Sequence, residues 1–329
     1  MIVWADRWQA DGCVELCMAT LSRVHITKIT LADVNTTLFA LPESVKKAAA
    51  FANFQAMCKK WLVKEFGDVY AVITDNELLK SFCALSFRVV CVWAALDELV
   101  VHTENDVAVL LAFWHAGPIG EQCNEQDLLQ LGELLRVGSL TSMFRRMTLP
   151  ELTWFVGHAA RANIFAAMYD CGGAGEIAAD RPAAWSAGAR NGKLPQNAST
   201  RANITELVSE AELGRVLQQD SPDVLHKFGS KRYWHGYFWQ VSIEFKEGKV
   251  GAFLHNISHG PILRAACVKF RYYAYTSTLR PCILRRETGT GAGRGDLFPT
   301  ISPITSLEQL QPHIINGFLK VCFGLKEMN

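Results

Sequence analysis

His255 and His259 stand four positions apart, a spacing that sets two imidazoles on one face of a helix and suits zinc. They follow Ala252-Phe253-Leu254 and precede Gly260-Pro261, where a strand gives way to a loop, and no third ligand has a matching spacing. The pair therefore reads as ordinary polar residues, and no metal is expected. The run Gly289–Asp296, GTGAGRGD, suggests a phosphate loop. It fits neither G-x-G-x-x-G nor the Lys-Ser/Thr ending of a Walker loop, so a mobile hairpin loop is expected instead. Its embedded Arg294-Gly295-Asp296 matches an integrin-binding tripeptide and is read as coincidence. Ten cysteines and nine histidines allow a Cys–His pairing to be drawn. None of them sits in a strained turn or an electropositive helix start. Cys171, in Asp170-Cys171-Gly172-Gly173, is the most exposed-looking thiol, in a stretch unsuited to a preorganised site. No catalytic residue and no cofactor is expected.

The elements that would have to position any chemistry fall into two kinds. Residues 1 to about 170 carry helical periodicity. Val3, Trp4, Trp8, Val14, Cys17 and Leu21 form one repeat, and a long helix is predicted from Leu41-Pro42-Glu43 to a stop at Gly67. Thr74 to Glu77 has the form of a capping box, opening a helix with Leu78, Leu79 and Phe82. Another helix spans about Phe87 to Ala95. Thr103 and Asp106 open the next, whose face is Val107, Leu110, Leu111 and Trp114, with Gly117 as its stop. Asn124 and Asp127 repeat the start signal, and Leu128, Leu131, Leu134 and Leu135 repeat the stripe. A last helix is predicted from Thr148-Leu149-Pro150-Glu151 through Leu152, Phe155, Ile164 and Met168. Arg145-Arg146 are expected late in a helix, solvated and neutralising its carboxyl end.

From Cys171 to Thr200 the chain is rich in Gly, Ala and polar residues without a periodic face, the composition of a mobile linker. A helical patch is predicted over Glu206 to Val216, after which the period becomes two. Tyr237, Trp239, Val241, Ile243 and Phe245 form one strand, and Lys246-Glu247-Gly248-Lys249 a turn. Val250 to Leu254, Ala266 to Ala274 and Phe318 to Cys322 form further strands, together an antiparallel β-sandwich. The aromatic cluster Tyr233, Trp234, Tyr237, Phe238 and Trp239 has two readings, sandwich core or partner-binding groove. Because positions 238 and 239 point to opposite faces, Phe238 and Trp234 are the candidate partner-binding residues.

Composition narrows the function classes. Hydrophobic residues make up 50% and charged residues 20%, enough to bury cores, and the net charge is +1. Such a balance lacks the basic excess of a nucleic-acid or anionic-membrane surface. No apolar run reaches spanning length, and Asp6 and Arg7 occupy the place where a signal peptide is apolar. There is no CxxC, so zinc ribbons and thioredoxin-like chemistry have no foothold, and the apolar or helical settings of Cys58, Cys83 and Cys91 suit reduced thiols, with a cytoplasmic or nuclear location expected.

Several segments together resemble a known family. FGDV at 66–69, LLKSFCALSF at 78–87, DELVVHTENDVAVLLAFW at 97–114 and LLQLGELLRVGSLT at 128–141 resemble the BACK domain that follows BTB domains in cullin-3 adaptor proteins. The residues that match its pattern are Phe66, Leu78, Leu79, Leu99, Val101, Glu104, Val107, Trp114, Leu134, Leu135, Arg136, Val137 and Leu140. WADRWQADGCVELC at 4–17 resembles the last helices of a BTB domain. WHGYFWQVSIEF at 234–245, KVGAFLHN at 249–256, CVKFRYYAYT at 267–276 and the terminal LEQLQPHIINGFLKVCFGLK resemble a MATH (TRAF-like) β-sandwich. The order is similar to that of algal BTB-BACK proteins.

The resemblance implies a multidomain α + β protein. Residues 1–25 would be the end of a BTB domain, 36–170 an all-α BACK-like domain, 171–205 a flexible linker and 206–329 the β-sandwich. It further implies a non-enzymatic protein-interaction module resembling a substrate adaptor of a cullin-3 RING ubiquitin ligase, with the β-domain recognising a protein. Its partners would be cullin-3 and a substrate protein, with no nucleic acid and no membrane. Because nearly all of the BTB core is expected to be missing, oligomerisation is not expected. The alternative is a structural or scaffolding BTB-BACK-type protein without a ligase role.

Overall fold

The computed structural model describes residues 11–21, 23, 28, 30–40, 49–142, 144–158, 182–192, 201–217, 225–246, 249–262, 267–275, 287–290, 294–297, 311 and 314–327. The chain divides into two compact units, one of Met1–Leu140 and Leu152–Pro195, the other of Thr141–Glu151 and Gln196–Asn329. The first is helical and the second is built on antiparallel strands, so the protein mixes α and antiparallel β structure. The starts of the two predicted long helices, residues 1–10 and 41–48, lie outside the described residues, as do Ile164, Met168 and Cys171.

In the helical unit, α1 (Asp11–Leu21) and α2 (Leu31–Ala40) come first. The sequence reading passes over the start of α2, where Asp33 accepts hydrogen bonds from the N–H and hydroxyl of Thr30 at 2.9 and 2.6 Å. Helix α3 (Ala49–Phe66) buries Phe51, Phe54, Cys58, Trp61, Leu62 and Phe66, three and four apart along one face. It stops at Gly67, where a Cβ would collide with the Val63 carbonyl. The chain there pairs briefly with Val100, whose N–H donates to Gly67 O at 2.8 Å.

Two short helices follow, α4 (Val69–Thr74) and α5 (Asn76–Cys83). The cap of α5 is Asp75, accepting from the N–H groups of Glu77 and Leu78, one residue beyond the predicted Thr74. Thr74 still belongs to the last turn of α4, and its hydroxyl donates back to Tyr70 O at 2.9 Å.

Helix α6 (Phe87–Ala94) precedes α7 (Glu104–His115), which is buried almost all round and forms the centre of this unit. Burying residues such as Leu110 and Leu111 stabilises the fold by about 1.5–3 kcal/mol each. Indole N–H groups tie loops to this core: Trp93 donates to Phe66 O at 3.0 Å and Trp114 to Leu85 O at 2.8 Å. Helix α8 (Glu125–Gly132) opens with the expected reciprocal cap between Asn124 and Asp127. It ends at Gly132, so Leu134 and Leu135 do not continue its stripe, and Leu135 is buried from the turn that follows. The helix predicted from Thr148 is replaced, as far as His158, by short 3-10 turns at Leu149–Glu151 and Thr153–His158. Arg145, expected to be solvated, is 2% exposed in a π-type turn, Phe144–Thr148.

In the second unit, β1 (Arg201–Ser209) runs straight into α9 (Glu210–Leu217), so the predicted helical patch begins as a strand. The remaining strands are β2 (Leu225–Phe228), β3 (Arg232–Trp234), β4 (Tyr237–Lys246), β5 (Lys249–Ile257) and β6 (Cys267–Tyr275). They continue with β7 (Glu287–Thr290), β8 (Arg294–Leu297), β9 (Ile314–Ile315) and β10 (Phe318–Glu327). One sheet has the order β1-β10-β6-β7 with β9 beside β10, and the other β2-β4-β5-β8 with β3 beside β4. Two hairpins turn through paired left-handed residues, His235-Gly236 and Asn316-Gly317. That geometry suits a two-residue type I′ connection, and Asn-Gly is its strongest sequence signal.

The run 289–296 is not a hairpin loop. Its ends lie in β7 and β8, which belong to different sheets, and Arg294, Gly295 and Asp296 pair with Leu254, Phe253 and Ala252. The sheets communicate through Glu206 of β1, which accepts from the N–H and hydroxyl of Ser230 at 3.0 and 3.3 Å. A Cβ at Gly229 would strike the Glu206 carboxylate, so a larger residue there would push that side chain aside.

Candidate functional site

Glu104 occupies the first turn of α7 and is 2% exposed. A carboxylate buried this deeply demands partners. The guanidinium of Arg190 supplies two donors, Nε to Oε2 at 2.8 Å and Nη2 to Oε1 at 2.6 Å, and its Nη1 donates to Leu96 O at 2.5 Å. The backbone N–H of Arg136 adds a third bond to Oε1 at 3.2 Å. Burial raises the Glu104 carboxyl above its ordinary range, opposed by the charge and hydrogen bonds of Arg190. Removing one partner of such a pair strands the other and costs about 3–5 kcal/mol.

Arg190 arrives on a stretch that the sequence reading assigns to a mobile linker. Residues 182–192 are instead seated in a groove of the helical unit, which corrects that assignment. The stretch has no periodic face because it forms no regular element beyond a turn at Ala183–Ser186. It is held by two anchors and by its carbonyls. Trp185, 1% exposed, donates its indole N–H to Gly132 O at 3.0 Å and lies against the rings of Phe155 and His158. The Ser139 hydroxyl donates to Ala187 O at 3.2 Å, and Arg136 Nη1 to Gly188 O at 3.0 Å. Arg136 also pairs with the Asp97 carboxylate, while Asn191 N–H donates to Asp97 O at 2.7 Å.

Gly132 is required here, since a Cβ would run into the His158 ring, whose Nε2 bonds Leu129 O at 2.8 Å. Trp185 and Arg190 went unread in the sequence. Their only local signal was two large side chains standing alone among Ala, Gly and Ser.

The signature positions fall in this same unit. Phe66, Leu99, Glu104, Val107, Trp114, Leu135, Arg136, Val137 and Leu140 are buried, and Leu78, Leu79, Val101 and Leu134 are half-buried. Of these, Glu104 and Arg136 line the groove. Three thiols of this unit are far from nucleophilic: burial pushes Cys58 and Cys91 up to about 12 and Cys83 up to about 11. Among the described residues no group of three or more His, Cys, Asp and Glu side chains could hold a metal ion. None of the helices searched there is long and apolar enough to cross a membrane.

In the strand unit, Trp234 and Phe238 are each 6% exposed, which overturns their reading as surface residues. The register of the β3–β4 hairpin sets Trp234 opposite Tyr237 and Tyr233 opposite Phe238, so the two candidates lie on opposite faces. Both faces are covered. Trp234 stacks on His235 at 4.1 Å, and Phe238 is enclosed by Tyr233 at 5.1 Å and His259 at 4.4 Å. His255 and His259 do not converge: His255 Nε2 meets the Ser242 hydroxyl at 2.6 Å, and His259 Nδ1 lies 3.4 Å from Lys231 Nζ. Burial and the Lys231 charge hold His259 below its ordinary value. Among the described residues of this unit, the large apolar groups exposed are Leu207 and Phe318, on the adjacent strands β1 and β10, where the intervening Val208 and Leu319 are buried. No protein-family model, no curated protein and no solved structure matches this chain.

Proposed function

We propose that the chain is a non-enzymatic protein-interaction module of BTB-BACK type, acting as a substrate adaptor of a cullin-3 ubiquitin ligase. The helical unit serves as scaffold and the strand unit recognises a protein partner. The observation that carries this reading is the spread of the resemblance residues. From Phe66 to Leu140 they lie buried or half-buried within one helical unit, which accounts for the apolar character of all but Glu104 and Arg136 without assigning them any chemistry. The raised thiols of Cys58, Cys83 and Cys91 are in keeping with that role. In the strand unit, exposed Leu207 and Phe318 offer apolar contact area of the kind that partner surfaces use. The work of such a protein is proximity: it supplies position and the bound ligase supplies the chemistry. The test is capture of the chain by the purified amino-terminal half of cullin-3. Saturable binding is the expected result. Absence of binding overturns the ligase role and leaves the scaffolding alternative.

A further inference from the structure

We infer that the groove holding residues 182–192 is a receptor for an extended segment of a partner protein carrying Trp and Arg five positions apart with small residues between. The chain's own strap occupies it in competition. Rather than extending an element of the helical unit, the strap is bound as a peptide ligand would be. Its recognition has two parts. The anchors are Trp185, in a pocket closed by Phe155, His158 and Gly132 O, and Arg190, clamped by the Glu104 carboxylate and Leu96 O. Between them the groove reads backbone, with Ser139 and Arg136 donating to the carbonyls of Ala187 and Gly188, and just past Arg190 the Asp97 carbonyl accepts from the N–H of Asn191.

Backbone contacts of this kind accept any sequence with small side chains, so specificity rests on the two anchors and their separation. Trp and Arg are also the residue types that dominate interface energetics. The groove's charge fixes the partner's sign at the anchor, because Glu104 is 2% exposed and without a guanidinium keeps only the Arg136 N–H, with no countercharge. Lys would be a poor substitute, since a point charge cannot satisfy both carboxylate oxygens in a fork.

Competition follows from tethering. A segment held in cis acts at an effective concentration of about millimolar, so an external ligand of equal intrinsic affinity binds weakly until the strap is loosened. The inference rests on the reading of this chain as an interaction module, but cullin-3 has no part in it.

The test uses the full chain and a fluorescent peptide of the sequence Pro182–Gly192. Anisotropy should show weak binding to the wild type and binding at least about tenfold tighter to the R190K chain, whose strap has lost its fork. Binding should vanish when Glu104→Gln is added, or when the arginine of the peptide is replaced by alanine. W185A supplies a second loosened strap, and an unchanged far-UV circular dichroism spectrum identifies folded variants. If folded R190K and W185A bind the peptide no better than a scrambled one, the receptor is refuted. Concentration-dependent dimers of the wild type that E104Q abolishes would assign the groove to a second copy and overturn the partner. Loss of cullin-3 capture with peptide binding intact would sink the ligase role alone.

Discussion

Asp106 shows how one side chain can fix an element and carry a titration with it. It is fully buried at the start of α7, and its Oδ2 accepts from the N–H groups of His102 and Thr103 at 2.8 and 3.3 Å. The same oxygen lies 3.7 Å from His102 Nδ1. The hydrogen bond to Asp106, then its charge and that of Asp68, raise His102 above 6.5 against the opposing effect of burial. A histidine raised on folding contributes stability that is full below its unfolded value and lost as pH rises through its folded value. The wild type should therefore lose up to about 1 kcal/mol more stability than His102→Gln between about pH 5.5 and about pH 8.5. Urea midpoints of the two proteins at both pH values check this. Equal losses would mean that the ring is not charged against Asp106.

At the scale of elements, helices with a cap and a stripe were legible because both signals are local. Asn124 and Asp127 mark the start of α8 in sequence and in structure alike. The strap was illegible for the converse reason: its partners Gly132, Arg136, Glu104 and Asp97 lie far away in the chain, and its own composition has no face. Close backbone approach also decides where its end can sit. Gly192 lies against Leu99 and Val100, and a Cβ there would run into their backbone atoms. Gly192→Ala should therefore lift the end of the strap at a cost of about 1–3 kcal/mol. Trypsin should then cut after Arg190 faster than in the wild type, while the helical circular dichroism is kept. An unchanged cleavage rate would show that the approach is not what holds the strap.

For the whole molecule, the division into units does not follow the order of segments. Thr141–Glu151 lies within the helical half of the sequence, yet it belongs to the strand unit. The Phe144 ring packs 5.7 Å from that of Tyr237, and the Thr148 hydroxyl lies 3.1 Å from the Tyr237 hydroxyl. Phe144→Ala should therefore destabilise the strand unit by about 3–5 kcal/mol. Hydrogen exchange at Tyr237 to Val241 of β4 should accelerate while that of α7 stays slow. Acceleration confined to α7 would place Phe144 with the helices instead.

The sequence by itself determined the succession of helices followed by strands, the starts of α6, α7 and α8, and the strand over Tyr237 to Phe245, because period and capping are properties of neighbours in the chain. The tertiary structure alone decided that Trp234 and Phe238 are covered, that 182–192 is a seated strap, and that 141–151 crosses to the other unit. Each of those outcomes depends on a carbonyl, a carboxylate or an aromatic ring far away in sequence meeting a particular side chain. A buried group takes whichever partner satisfies it, and no local pattern records which one that will be.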